Sequence, residues 1–312
     1  MSKWFPSVQA IRAAKLETFV QVSLAATLVL NVWVNPSVAA DPFRTKEARN
    51  IGDKTEAAFK AIFQQGDYKA AEAYLQQALI SEPNEPLAYA MKASLAYTNK
   101  DWTTIDTYSK KTLEIGQKLI ASDPLRGNIY TAVGHFLEGA ALVRRQGTVN
   151  GATQALSKLQ EVYKYLDKAQ AISANDPELN LLKGYMDLML AVNLPFANPQ
   201  QAIERLDKNA APEYLADRGI AYGYRDLKQY NQALEYVNRA LKATSNNPEV
   251  YYLKAQILRG MAGKEKNQQL LQEAVINFDQ ALAKKSQLPA GLVKQIERER
   301  RKAAQDIARA QR

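Results

Sequence analysis

Five short polar breaks that include proline recur along this chain: Ser81-Glu82-Pro83, Ser122-Asp123-Pro124, Asn175-Asp176-Pro177, Ala211-Pro212 and Asn246-Asn247-Pro248. Between them apolar residues fall at helical spacing, and clean two-residue alternation is almost absent. Alanine is abundant, and Gly or Pro is sparse inside the helical runs. A chain divided this way predicts a series of amphipathic helices. With 312 residues, 46% of them hydrophobic, it is long enough to bury a sizeable core.

The segments between the breaks align with one another. Gly66-Asp67-Tyr68 precedes Ala71, Leu75 and Ala78; Lys228-Gln229-Tyr230 precedes Ala233, Val237 and Ala240. Lys100-Asp101-Trp102 is a turn of the same type, and Ala274, Phe278 and Ala281 close the series. Upstream lie Tyr130, Val133, Gly134 and Leu137, then Asp217, Ile220, Ala221 and Tyr224, then Tyr251, Lys254, Ala255 and Leu258. Small residues recur where two helices would cross, and larger ones fill the space between. A generic alanine-rich bundle explains the amphipathicity but not the matched turns. The pattern resembles the tetratricopeptide repeat (TPR) family. The resemblance covers roughly residues 50–285 and implies an all-α, right-handed α-solenoid of five to six helix pairs at 41–290. A basic capping helix follows at 291–312, as a solenoid requires a polar end.

Several units depart from the pattern. The second helix of the second unit is long, about 103–121. The third unit has long helices, about 126–146 and 152–174, joined at Gly147-Thr148-Val149-Asn150-Gly151. The fourth carries an insertion over Asn193–Pro199, and the sixth one of about seven residues near Gly260–Lys264.

Residues 1–40 read as an address. Lys3, Arg12 and Lys15 precede a mostly apolar run from Phe19 to Val34, and Pro36-Ser37-Val38-Ala39-Ala40 supplies small residues at a cleavage point. This predicts a secretory signal peptide cut after Ala40, or after Ala39. The alternative is an uncleaved anchor, but the run is short of the roughly 20 apolar residues of a spanning helix and has polar breaks. The absence of cysteine excludes a bacterial lipoprotein.

Chemistry is scarce. No cysteine and one histidine exclude disulfides, thiol catalysis, Cys-ligated metals and multi-His sites. No phosphate-cradling glycine loop occurs. His135 falls mid-helix beside Gly134, with no nucleophile or orienting acid near it in sequence, and reads as a groove or packing residue. Glu297 and Glu299 are interleaved with Arg298, Arg300 and Arg301, a solvated ion-paired face rather than a glycosidase pair. No catalytic residue, metal or cofactor is expected.

The chain is +9 overall and +7 beyond residue 40, with +4 of that in residues 292–312. That run lacks interleaved aromatics, so nucleic acid is a poor partner. It reads as a solubilising cap or as a dock for an anionic membrane surface or acidic protein.

The TPR resemblance implies a concave groove lined by first helices. Its register places there Tyr97, His135, Glu138, Tyr185, Leu188, Arg218, Tyr222, Arg225, Tyr252, Gln256 and Arg259. Tyrosine and arginine bind at little conformational cost, and arginine grips carboxylates in a fork. The expected partner is a protein or peptide with an acidic or C-terminal segment. The Lys/Asn/Arg set that holds chaperone tails in some TPR proteins is missing: Ala90, Ser94, Thr131 and His135 stand at those places. The expected function is a non-enzymatic exported scaffold for protein–protein interaction. An envelope assembly factor docked through the C-terminal helix, and a carbohydrate-binding module using Tyr185, Tyr222 and Tyr252, are the alternatives. Composition and leader also resemble exported TPR proteins of cyanobacteria and other Gram-negative bacteria. The implied compartment is the periplasm, or the thylakoid lumen of a photosynthetic source.

Overall fold

The computed structural model describes residues 41–193 and 198–310, so the leader expected at 1–40 lies outside the described residues. Helices α1 (Asp53–Phe63) and α2 (Tyr68–Ser81) form the first pair, and α3 (Pro86–Asn99) and α4 (Trp102–Leu119) the second. Helical backbone then runs from Pro124 to Ile172 (α5). There follow α6 (Pro177–Asn193), α7 (Pro199–Asn209), α8 (Glu213–Asp226), α9 (Tyr230–Ala243), α10 (Pro248–Glu265), α11 (Gln268–Leu282), a 3-10 turn at Lys285–Gln287, and α12 (Ala290–Ala310). No strand occurs among the described residues.

Three of the breaks supply helix caps, Asp123, Asp176 and Asn247, and further caps stand at other helix starts. The carboxylates of Asp67, Glu85, Asp101 and Asp123 accept backbone N–H bonds from the first turns of α2, α3, α4 and α5, and the Asn247 and Asn267 amides do so for α10 and α11. Proline opens α3, α5, α7 and α10, where its missing N–H costs nothing. Four of the turns inside helix pairs share a conformation. Gly66, Lys100, Lys228 and Lys266 are all left-handed, each directly before the next helix's cap residue.

Although α5 is helical throughout its 49 residues, the chain reverses inside it. His135 and Tyr165 would stand about 45 Å apart on a straight helix, at about 1.5 Å per residue. Their rings are instead stacked with centroids 5.7 Å apart. Lys158 also donates to Glu138. These contacts pair the two arms of a helical hairpin about residue 148, between Gly147 and Gly151. The third unit is therefore a long helix pair with a very tight corner. The insertion read near Gly260–Lys264 is not a loop: it is absorbed as extra turns of α10. Most of the insertion between α6 and α7, residues 194–197, lies outside the described residues.

Each helix packs on its sequence neighbour, and the first helices of successive pairs pack on one another, α1 on α3, α3 on α5, α6 on α8 and α8 on α10. First helices thus form the inner layer, and α2, α4, α7, α9 and α11 the outer one. The alanines of the motif, Ala71, Ala78, Ala233, Ala240, Ala274 and Ala281, are wholly buried. Gly134 lets α5 cross α4 closely: a Cβ there would lie 2.7 Å from the Leu113 Cα. This is a TPR-type α-solenoid.

The solenoid closes on itself. The Tyr68 hydroxyl of the first unit donates to Glu249 Oε1 of the sixth at 2.5 Å. Gly66 packs against Asn247 and Pro248. A cleft of about 590 Å³ runs along this seam, lined by Tyr68, Glu72, Lys92 and Tyr108 on one side and Gln287 and Leu288 on the other.

Candidate functional site

The residues expected to line an open groove fall into three groups, and most are turned into the protein. Tyr97 is buried at the end of α3, edge-on to the Trp102 ring at 6.1 Å. His135 is buried against Tyr165, its Nδ1 3.7 Å from the Glu138 carboxylate. The nearby His135 ring and the hydrogen bond from Lys158 hold the Glu138 carboxyl below its usual range.

The late set does converge, but as a core. Arg218 is fully buried and pairs with Glu249 at 3.3 Å. The Tyr185 hydroxyl donates to the Leu215 carbonyl at 2.6 Å. Tyr222 is buried, and burial pushes its phenol up to about 12. Arg225 lies over the Tyr222 ring and donates to Gln256 and to Asp226. The Tyr252 hydroxyl donates to Glu299 at 2.7 Å, Gln256 donates to the same carboxylate at 3.0 Å, and Arg259 donates to Asp306 at 3.1 Å. Leu188 is wholly buried. The expected acid-gripping arginines are thus satisfied by the chain's own acids, those of α12 included. Arg218 and Arg225 are buried rather than open to an outside carboxylate, whereas Arg259 keeps about a third of its side chain exposed (31%).

A second cluster, not anticipated from the sequence, lies where the N-termini of α3, α5 and α6 converge. The N-capping carboxylates Glu85, Asp123 and Asp176, together with Glu178, gather there. Arg126 forks onto Glu85 at 2.7 and 2.8 Å and reaches Glu178 at 3.4 Å. The Tyr130 hydroxyl donates to Glu178 at 2.7 Å.

The segment 41–52, which we call the strap, lies across this cluster. Arg44 donates to Asp176 at 2.5 Å and to Glu178 at 3.2 Å, and Arg49 to Asp123 at 2.8 Å. Burial opposes the Arg44 charge, but Glu178 and Asp176 outweigh it and hold the guanidinium protonated. Burial raises the Glu85 carboxyl despite Arg126. One signal of the cluster was present in the sequence. Glutamate follows proline at the starts of both α6 and α10, and in each case it receives a tyrosine hydroxyl and an arginine.

Among the described residues, the side chains recorded against His135 are Tyr165 and Glu138. Among the described residues no group of three His, Cys, Asp or Glu side chains is placed to hold a metal ion. No helix of the described residues is long and apolar enough to cross a membrane. No curated protein matches the chain. Residues 56–104, which span the first two helix pairs, match the family model described as tetratricopeptide repeat. That match, together with the stacking of helix pairs along the described residues, supports a tetratricopeptide-repeat architecture.

Proposed function

We propose that this protein is an exported, non-enzymatic scaffold that binds another protein through its repeats. The observation that carries the reading is the stacked-pair solenoid with its TPR match, an architecture that presents a preformed surface and so binds at little ordering cost. Export rests on the leader at 1–40, and the compartment is the periplasm, or the thylakoid lumen in a photosynthetic source.

Crosslinking in cells followed by mass spectrometry tests the scaffold. The expected result is a specific protein crosslinked to the repeats, and its absence would overturn the reading. Sequencing the N-terminus of the exported protein tests the leader. A start at Asp41, or at Ala40, is expected; a start at Met1 would reject cleavage.

One observation favours a second reading, docking on an anionic surface. On α12 the acids Glu299 and Asp306 bond inward to α10, whereas Lys294, Arg298, Arg301, Lys302 and Arg309 are exposed. Deleting 291–312 and measuring binding to anionic vesicles in low salt separates it from a plain cap. Unchanged binding rejects docking through this helix.

A further inference from the structure

The strap lies on the repeats as a bound peptide would. Its backbone makes a local hydrogen bond, Arg44 N–H to the Asp41 carbonyl at 3.3 Å. Its hold on the other repeats comes from side chains. Phe43 sits edge-on to Phe59 of α1 at 5.1 Å, and Ile51 is buried in the same core. Arg44 and Arg49 reach the third and fourth pairs. Thr45, Lys46, Glu47 and Ala48, between the two arginines, are exposed. A segment held this way opens at low cost relative to packed helices.

The charge beneath it is unbalanced. Without the strap, Arg126 still serves Glu85 and Glu178, but Asp123 and Asp176 lose the ion pairs to Arg44 and Arg49 recorded among the described residues. Glu178 is fully buried and Asp176 nearly so. Buried carboxylates left without a cation carry a large desolvation penalty. Whatever lies on this floor must therefore bring forked cations, and geometry favours arginine over lysine. Here the need is the reverse of the acidic partner expected from the sequence.

We propose that the floor formed by the N-termini of α3, α5 and α6 is the partner site of the scaffold, that its ligand is an extended peptide segment bearing arginine, and that residues 41–51 are an intramolecular ligand which such a segment displaces. This rests on the scaffold reading of the fold. Asp176 and Glu178 receive the incoming guanidinium, and Phe59 packs against an aromatic side chain at the position directly before it, as Phe43 precedes Arg44.

The probe is a labelled synthetic peptide with the sequence of residues 41–51, titrated against the full chain and against its Arg44→Ala/Arg49→Ala variant. We expect saturable binding to the variant at least tenfold tighter than to the unaltered chain, because its own strap no longer competes. A peptide with both arginines changed to glutamine should bind at least tenfold more weakly. Failure of the folded variant to bind, or equal binding of the two peptides, would overturn the proposal. Should the variant not fold, hydrogen exchange on the unaltered chain decides. Strap amides exchanging at least tenfold faster than those of α3 and α5 support displacement; strap amides that exchange only on global unfolding reject it. Peptide binding without any crosslinked cellular partner would leave the strap reading standing and remove the scaffold role, and the converse result would do the opposite.

Discussion

At the scale of single residues, the turns inside the pairs show how backbone conformation and packing share one position. Gly66 is left-handed (φ 56°), and a Cβ there would lie 2.8 Å from Asn247 Oδ1 and Pro248 Cδ. Gly66→Ala is expected to destabilise the protein by about 1–3 kcal/mol, since it is both strained and crowded. Lys228 holds the same conformation (φ 59°) with a Cβ already present. Lys228→Gly is expected to stabilise by up to about 1 kcal/mol. Urea unfolding of the two variants checks both signs.

Glu249 supplies a pH dependence. Burial pushes its carboxyl from 4.5 up to about 7, partly offset by Arg218 and by the Tyr68 hydroxyl. The folded protein therefore holds a proton there that the unfolded chain has released. Its contribution is fully present below about pH 4.5 and is lost as pH rises towards 7. Stability measured from pH 4.5 to 7 should fall on this account, and Glu249→Gln, which cannot titrate, should flatten the slope. An equal slope in both would assign the dependence to other groups.

At the scale of elements, helix boundaries follow local chemistry while helix partners do not. The caps at Asp67, Asp101, Asp123 and Asn247 were readable because a capping side chain and its helix are neighbours in sequence. The corner of α5 was readable from Gly147 and Gly151, and the ring stacking of His135 on Tyr165 bears out two antiparallel arms. The burial of Arg126 was not readable, because its partners Glu85 and Glu178 come from two other pairs. Arg126→Ala removes the cation that forks onto buried Glu85, leaves Glu178 with Arg44, and is expected to cost about 3–5 kcal/mol. Arg126→Lys should recover part of that loss, since it keeps the charge but not the fork. On α12, Ile296 is wholly buried, and Ile296→Ala is expected to cost about 2–4 kcal/mol. Chemical denaturation measures the three variants.

At the scale of the whole molecule, the first and sixth units of the solenoid meet. The seam couples Tyr68 and Gly66 to Asn247, Pro248 and Glu249, residues about 180 positions away in the chain. The chain has no cysteine, so introduced pairs are unique labels. Dyes at Lys69→Cys and Ser286→Cys, which line the seam cleft from either side, should show high energy transfer in the native protein. Adding Tyr68→Ala should lower it while helix content by circular dichroism is retained. Low transfer in the parent would mean that the ends stand apart in solution. The seam also accounts for the fate of the groove: a superhelix closed this tightly has Arg218 and Tyr222 in its interior rather than on an open face.

By itself, the sequence determined the class of fold, the order of the helices, the turns and caps, and the small residues that let helices cross. All of these depend on spacing within a few tens of residues, where periodicity and capping chemistry act. The tertiary structure alone decided how far the solenoid curls, which charges face one another, and hence what the inner face offers a partner. Curvature accumulates from small rotations at each unit, so the meeting of Tyr68 with Glu249, or of Arg44 with Asp176, is set by the sum of all the interfaces between them. No local pattern encodes that sum, which is why Arg218 and Arg225 read as a binding surface although they are buried, and why nothing in the sequence near Arg44 and Arg49 points to their acids.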